Sequence, residues 1–323
     1  AIPDAALKLK GKDLADYVNA AQNEWKADHT RAAPAQRAAH LMAIKYTRHP
    51  ADAEVKQVTL TKEDRAAIPD SFDARQQWPQ CTRIGYIRDQ SDCGSCWAFA
   101  AAEAMSDRVC IASKGAQQPV LAATDPLACC GSYCGYGCEG GYPIRAWNWW
   151  VKTGLVTGDG YYEGAGCMPY PIEPCGTHTF NGTVHHHDCF EEADTPSCTK
   201  RCQNGYPTPY AQDKVFGKSA YAVPANEAAI QKELMTNGPV EAAFTVYSDF
   251  MHYTTGVYHH TAGGVEGGHA VKILGWGVES GTKYWLVANS WNNDWGLDGY
   301  FKIRRGNDEC GMESGIVAGL PKL

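Results

Sequence analysis

Hydrophobic positions change their period along this chain. Near the start, Leu14, Tyr17, Val18 and Ala21 recur at helical spacing and Trp25 carries on the same face, which predicts an amphipathic helix. Residues 33–43 are rich in alanine and predict a second short helix, with Pro50 as its breaker. Residues 55–60 predict a short strand. Residues 96–111, CWAFAAAEAMSDRVCI, read as a longer alanine-rich helix with an apolar face, and residues 146–151 as another buried helical piece. The stretch between about 115 and 215 holds no period and is rich in Cys, Gly, Pro and Tyr. From residue 221 onward the pattern changes: a helix over 226–237 stops at Gly238-Pro239, and strands follow over 240–246, 270–275, 284–289 and 299–304, each bounded by Gly or Asp. The fold class predicted is α+β, with a mainly helical half, a mainly β half and a cleft between them.

Composition narrows this picture. The 323 residues are 44% hydrophobic and 20% charged, as in ordinary globular proteins, and no apolar run reaches the roughly 18–20 residues of a membrane span. No charged-then-apolar leader opens the chain, so Ala1 is not expected to be the first residue of the gene product. All fourteen cysteines lie between Cys81 and Cys310. Such density in Gly- and Pro-rich loops points to an oxidising secretory route, and the sequon Asn181-Gly182-Thr183 fits it as a glycosylation candidate. Residues 1–66 carry eleven Lys/Arg and nine Asp/Glu, which leaves 18 basic and 27 acidic residues of the total 29 and 36 to the rest. A basic segment beside an acidic body is set to attract it, and protonation of carboxylates in acid weakens that attraction. The same balance argues against a nucleic-acid partner. So short a cysteine-free segment can hardly bury a core alone and is expected to lie on the larger body.

The candidate chemistry centres on Cys96. A thiol with a pKa of roughly 8.5 is a poor nucleophile in acid, and a neighbouring imidazole can lower that value to roughly 3.5–7.5 as a thiolate–imidazolium pair. His269, in Gly-Gly-His-Ala, is the candidate imidazole and Asn289, in Asn-Ser-Trp, the group that orients it, with Trp291 shielding their hydrogen bond. The predicted helix puts Cys96 at its N-terminus, where the dipole favours an anion. Gln90, six residues earlier, can bring its amide to the same oxygen as the Cys96 backbone N–H, as half of an oxyanion hole. Thirteen cysteines then remain, an odd number, so at least one stays free. Pattern alone does not fix their pairing. Tandem Cys129-Cys130 does not suit one tetrahedral metal, no His-Glu-x-x-His set exists, and neither a metal nor a cofactor is expected.

The segments CGSCWAF, CCGSYCGYGCEGGYP, GPVEAAFTVYSDF, GGHAVKILGWG and YWLVANSWNNDWG, with SFDARQQWP, cover nearly everything after about residue 67. Through them the chain resembles the papain family of cysteine proteases, in its cathepsin B-like branch and proenzyme form. The resemblance implies a papain-like two-domain fold. Residues 1–66 would be an inhibitory propeptide lying reversed in the cleft, and 67–323 the peptidase. Within it, about 80–215 would form the helical, disulfide-rich domain, and about 67–79 with 216–323 the β-rich one. It implies disulfides Cys81–Cys110, Cys93–Cys138, Cys129–Cys198, Cys130–Cys134, Cys167–Cys202 and Cys175–Cys189, with Cys310 unpaired. It further implies a latent, monomeric cysteine endopeptidase of lysosomes, endosomes or the secreted fluid. Its partners would be peptide and protein substrates, its own propeptide and cystatin-type inhibitors. A catalytically silent secreted binding protein is the alternative, against which the intact Gln90, Cys96, His269 and Asn289 set counts.

Two departures bear on specificity. His269 lies 173 residues after Cys96, against roughly 130–150 for the plain papain signature, and the excess falls in the stretch 167–202. There the family's occluding loop uses paired histidines to grip a substrate's terminal carboxylate, whereas Thr177-His178-Thr179 offers one. His178 can still tether to Asp89, but the family's arginine tether to the position of Asp294 is missing, with Val184 nearby, so a looser loop and mainly endopeptidase cleavage are expected. His185–His187 are expected to be solvated. Gly140 and Gly141 would present backbone to the substrate, and Tyr142, Pro143, Ala243 and Ala270 would line the pocket two residues before the scissile bond. At its far end the family's glutamate is Gly315 here, which predicts Phe, Leu or Val there over Arg.

Overall fold

The computed structural model describes residues 1–31, 39–179 and 182–323. The predicted N-terminal helix spans Gly11–Ala21 and buries Leu14, Ala15 and Val18. Trp25 does not continue it. Gln22 ends the helix in extended backbone, its side-chain oxygen accepts from the Glu24 and Trp25 N–H groups, and Trp25–Ala27 becomes strand β1. The alanine-rich stretch falls largely outside the described residues, and its visible end, residues 39–43, is turn and bridge. Residues 55–60 give a single parallel bridge, Val55 to Ala222, in place of a strand.

The body begins with β2 (Phe72–Asp73) and the helix Cys96–Ala112, whose residues from Cys96 to Cys110 are all buried. Buried all round, with Glu103, Asp107 and Arg108 also enclosed, it is a core helix with no solvent face to pattern. Helix Pro143–Lys152 starts with proline at its first turn and packs beside it. A small hairpin, β3 (Thr177–His178) with β4 (Val184–His185), stands in the loop region. Then come β5 (Gly217–Ala222), helix Glu227–Asn237 capped by the Asn226 side chain, β6 (Val240–Tyr247), β7 (Tyr253–Tyr258), β8 (Val265–Glu279), β9 (Thr282–Ala288), β10 (Tyr300–Arg304) and β11 (Ile316–Pro321).

Nine strands form one sheet in the order β1-β7-β10-β9-β8-β6-β11-β5, with β2 on β8. The pairs are antiparallel except β10 with β7. The N-terminal segment supplies an edge strand, with Trp25 opposite Gly256. Ala6, Leu14, Val18, Trp25 and Leu41 share one buried cluster with β-half residues such as Phe244, Phe250 and Trp291. A second cluster gathers the helical half around Trp97, Met105 and Trp147 and reaches Ala243 and Ala270. The segment therefore folds onto the body, as its lack of core demands. The described residues close six disulfides: Cys81–Cys110, Cys93–Cys138, Cys129–Cys198, Cys130–Cys134, Cys167–Cys202 and Cys175–Cys189. Cys96 and Cys310 stay free.

Candidate active site

Cys96 opens its helix directly after Ser95, which gives no side-chain cap, so the first N–H groups and the helix dipole face the sulfur's surroundings. Gly94 permits a close approach: an added Cβ would stand 2.2 Å from the Cys138 carbonyl oxygen and 2.7 Å from that of Leu41. Across the cleft, His269 lies on β8, and its Nε2 donates to Asn289 Oδ1 at 2.7 Å. The Ser290 N–H donates to the same oxygen at 2.8 Å. This pairing assigns the ring proton to Nε2 and leaves Nδ1 bare, buried and without a hydrogen bond. Trp291 stacks on the ring at 4.7 Å between centroids.

Gln90 is wholly buried and held from three sides. Ser290 Oγ donates to its Oε1 at 2.6 Å, Tyr170 Oη donates to its backbone oxygen at 2.6 Å, and its Nε2 donates to Cys93 O at 2.9 Å. The same Nε2 also donates to the His40 carbonyl oxygen at 2.8 Å. Ser290 and Tyr170 were not legible as site residues, since Tyr170 is 80 positions from Gln90 and no local pattern links them.

The segment crosses the cleft by backbone pairing to both walls. Met42 N–H donates to Gly268 O at 2.9 Å, Gly268 N–H donates to Met42 O at 2.8 Å, and Ala43 N–H donates to Glu139 O at 3.0 Å. Gly140 lies open to it, since an added Cβ would meet the Tyr46 ring at 2.6 Å. Gly141 instead faces the Trp97 ring at 2.6 Å, inside the wall. Tyr46 meets Tyr142 edge-on at 4.8 Å and, with Met42, joins the cluster holding Ala243 and Ala270. Pro143 is buried at the start of its helix. An added Cβ on Gly315 would meet the Ala243 oxygen at 2.2 Å, so the backbone here has closed in where a side chain was expected to be missing.

Both groups are wholly buried beneath this cover. Burial pushes the Cys96 thiol up to about 12, with the Glu241 carboxylate adding to the rise against a hydrogen bond from the Ala270 backbone. Burial likewise pushes His269 down to about 4, against its bond to Asn289. With no water around either group, burial opposes forming the thiolate and the imidazolium while the segment covers them.

The loop is held more firmly than its missing arginine predicts. His178 Nδ1 lies 3.0 Å from Asp294 Oδ1, its Nε2 is 2.9 Å from Cys175 O and 3.6 Å from Asp89 Oδ2, and Thr179 N–H donates to Asp294 at 3.0 Å. One imidazole thus reaches both aspartates. His187 adds a contact to Asp92 at 3.1 Å and His186 one to Glu173 at 3.5 Å, so these two are not simply solvated; His185 meets Thr177 Oγ1 at 3.0 Å. Asn181 lies outside the described residues.

The chain is similar to known proteins over nearly its whole length. A family profile described as papain family cysteine protease matches residues 68–320. Cathepsin B-like cysteine proteinase 5 of Caenorhabditis elegans is 57% identical over 320 residues, covering 98% of this chain and 91% of the relative. A gut-specific cysteine proteinase of the same organism is 54% identical over 317 residues, covering 98% and 92%. Procathepsin B S9 from Trypanosoma congolense superposes with a TM-score of 0.81 at 36% identity, over 97% of this chain and 98% of that one. The chain belongs to the papain family of cysteine proteases, in its cathepsin B-like branch, and has the fold of a procathepsin.

Proposed function

We propose that this cysteine peptidase is a latent enzyme in which Cys96 is the nucleophile, His269 the base and acid, Asn289 the orienting group and Gln90 a donor of the oxyanion hole. The observation that carries the reading is the 2.8 Å Gln90 Nε2 bond to the His40 carbonyl, which gives the proposed oxyanion donor a peptide oxygen of the segment as its partner. Once residues 1–66 leave, water reaches both groups and the proton can pass from sulfur to His269 Nδ1. The thiolate attacks the peptide carbonyl, and the oxyanion accepts from Gln90 and the Cys96 N–H. Imidazolium His269 protonates the leaving amine. Water then attacks the acyl-enzyme while His269 takes its proton.

The finer activity follows from the loop. Both ring nitrogens of His178 already face partners, so it offers little to a substrate's terminal carboxylate. This supports little removal of C-terminal dipeptides; the endopeptidase reading then rests on that lost grip on the carboxylate and not on a loose loop. Substrates would be peptides and proteins, and cystatin-type inhibitors would fit the same cleft of a monomer. No helix among the described residues is long and apolar enough to cross a membrane. Together with six disulfides this supports a lysosomal, endosomal or secreted setting. Treating the acid-incubated protein with an irreversible epoxide and mapping the adduct tests the assignment. One adduct on Cys96 with full loss of activity is expected; an active enzyme with its label on Cys310 sinks it.

A further inference from the structure

Downstream of the cleft, residues 54–56 of the N-terminal segment lie along the end of β5. Ala222 N–H donates to Glu54 O at 2.8 Å and Lys56 N–H donates to Ala222 O at 2.9 Å, the ladder of a short parallel pairing. The Lys56 ammonium then donates to Glu233 Oε1 at 2.8 Å and sits 4.7 Å from the centre of the Tyr221 ring. Glu233 itself is 4% exposed. Its other oxygen, Oε2, is fully engaged: Arg108 donates at 3.1 Å, Tyr221 Oη at 3.1 Å and Asn237 Nδ2 at 2.7 Å. Lys56 is the one donor on Oε1 among the described residues. Arg108, wholly buried, is fixed in turn by the carbonyl oxygens of Pro239, Gly238 and Gly319.

The carboxylate is therefore built and oriented by the body alone, and the segment contributes only the ammonium. When residues 1–66 depart, an acceptor oxygen of a buried carboxylate is left aimed into an empty groove, beside an aromatic face and a free strand edge. We infer that the processed enzyme carries a lysine-recognition exosite at Glu233, Tyr221 and the Ala222 backbone, which takes an extended segment of another polypeptide presenting a lysine. Backbone pairing supplies the direction of binding, and the socket selects the side chain. A buried carboxylate whose bond is unmade loses the most when a neutral side chain is offered, so discrimination for lysine is steep. Burial opposes the charge on this carboxylate, and Arg108, which stays with the body, is the chief group that favours it.

This inference rests on the reading that residues 1–66 are removed. The probe is a fluorescent peptide of residues 51–60, titrated up to about 1 mM onto acid-processed enzyme whose Cys96 is already blocked by an epoxide. Saturable binding is expected, weakened roughly tenfold or more in the Lys56→Ala peptide. Glu233→Gln enzyme should lose the same preference, and if that variant does not fold the peptide pair still answers. Equal binding of the two peptides, or no binding to processed enzyme, overturns the exosite. Failure of acid to yield any shortened product overturns the latent-enzyme reading first, and the two failures are told apart by product mass.

Discussion

Gln90 and His40 are joined by a 2.8 Å hydrogen bond from the side-chain amide to the backbone carbonyl. The donor that would hold a developing oxyanion is occupied by a peptide oxygen of the chain's own N-terminal segment. Ser290 and Tyr170 keep that donor aimed whether or not the segment is present. Gln90→Ala should lower kcat of the processed enzyme roughly 10²–10³-fold with little change in KM. Steady-state kinetics on a peptide amide checks this, and a change confined to KM would count against the role.

Acid should loosen the segment. Burial lowers His269 to about 4 and His259 to about 4 from an ordinary 6.5, and Arg304 adds to the shift at His259. Burial also lowers His49 on the segment and His252, which faces His29 of the segment as well. Opposing influences are weaker: Glu24 near His259, Asp28 near His252, Asn289 at His269 and the Ser314 backbone at His49. Between pH 6.5 and 4 the uncovered rings bind more protons than the covered ones, so the covered state loses stability as pH falls through that window. Release of the segment, followed by thiol labelling with iodoacetamide, should be slow at pH 7.5 and accelerate towards pH 4; a rate independent of pH would refute it.

Trp25 anchors the segment. It is 1% exposed, lies against Tyr253 and Tyr258, and donates from Nε1 to His259 O at 3.1 Å. Trp25→Ala removes about 3–5 kcal/mol of packing, some of it from the covered state alone. Peptidase activity before acid treatment should rise roughly tenfold or more over the unaltered protein. An unchanged latent activity would place the anchor elsewhere.

Gly315 leaves the pocket by Ala243 without a carboxylate. The processed enzyme should cleave a Phe-Arg amide substrate faster than an Arg-Arg one. Because the Ala243 oxygen stands 2.2 Å from the position of a Cβ, Gly315→Glu should cost stability before it shifts this preference. Kinetics favouring Arg-Arg in the unaltered enzyme would contradict the pocket assignment.

The chain's local patterns and its structure part company at informative places. The helix from Cys96 was legible from its alanine-rich apolar run, whereas only 270–275 of β8 were read as strand and the structure extends it over Val265–Glu279. β5, β7 and β11 were not: Gly256 interrupts β7, and Gly319 and Pro321 interrupt β11, so no alternation survives. Trp25 looked helical by spacing, yet the Gln22 side chain takes its N–H and turns the chain into β1. Gln90, Cys96, His269 and Asn289 were picked out by their local motifs, and the structure bonds His269 to Asn289 and Gln90 to Ser290. The tether from His178 to Asp294 was not, because the partner position is 116 residues away and the structure fills an arginine's place with a histidine. The burial that shifts Cys96 up and His269 down was also hidden, since it depends on the surrounding fold.

In the proposed mechanism one sulfur, uncovered when one carbonyl-bearing segment leaves, performs the cleavage. Acid incubation of the unaltered chain and of Cys96→Ala, side by side, tests it most directly, with mass spectrometry of the product and hydrolysis of a peptide amide as readouts. The unaltered chain should lose about its first 66 residues, leaving a product that starts near Ile68, and become active. Cys96→Ala should stay folded, full-length and silent. Hydrolysis by purified Cys96→Ala at a rate comparable to the unaltered enzyme would contradict the account.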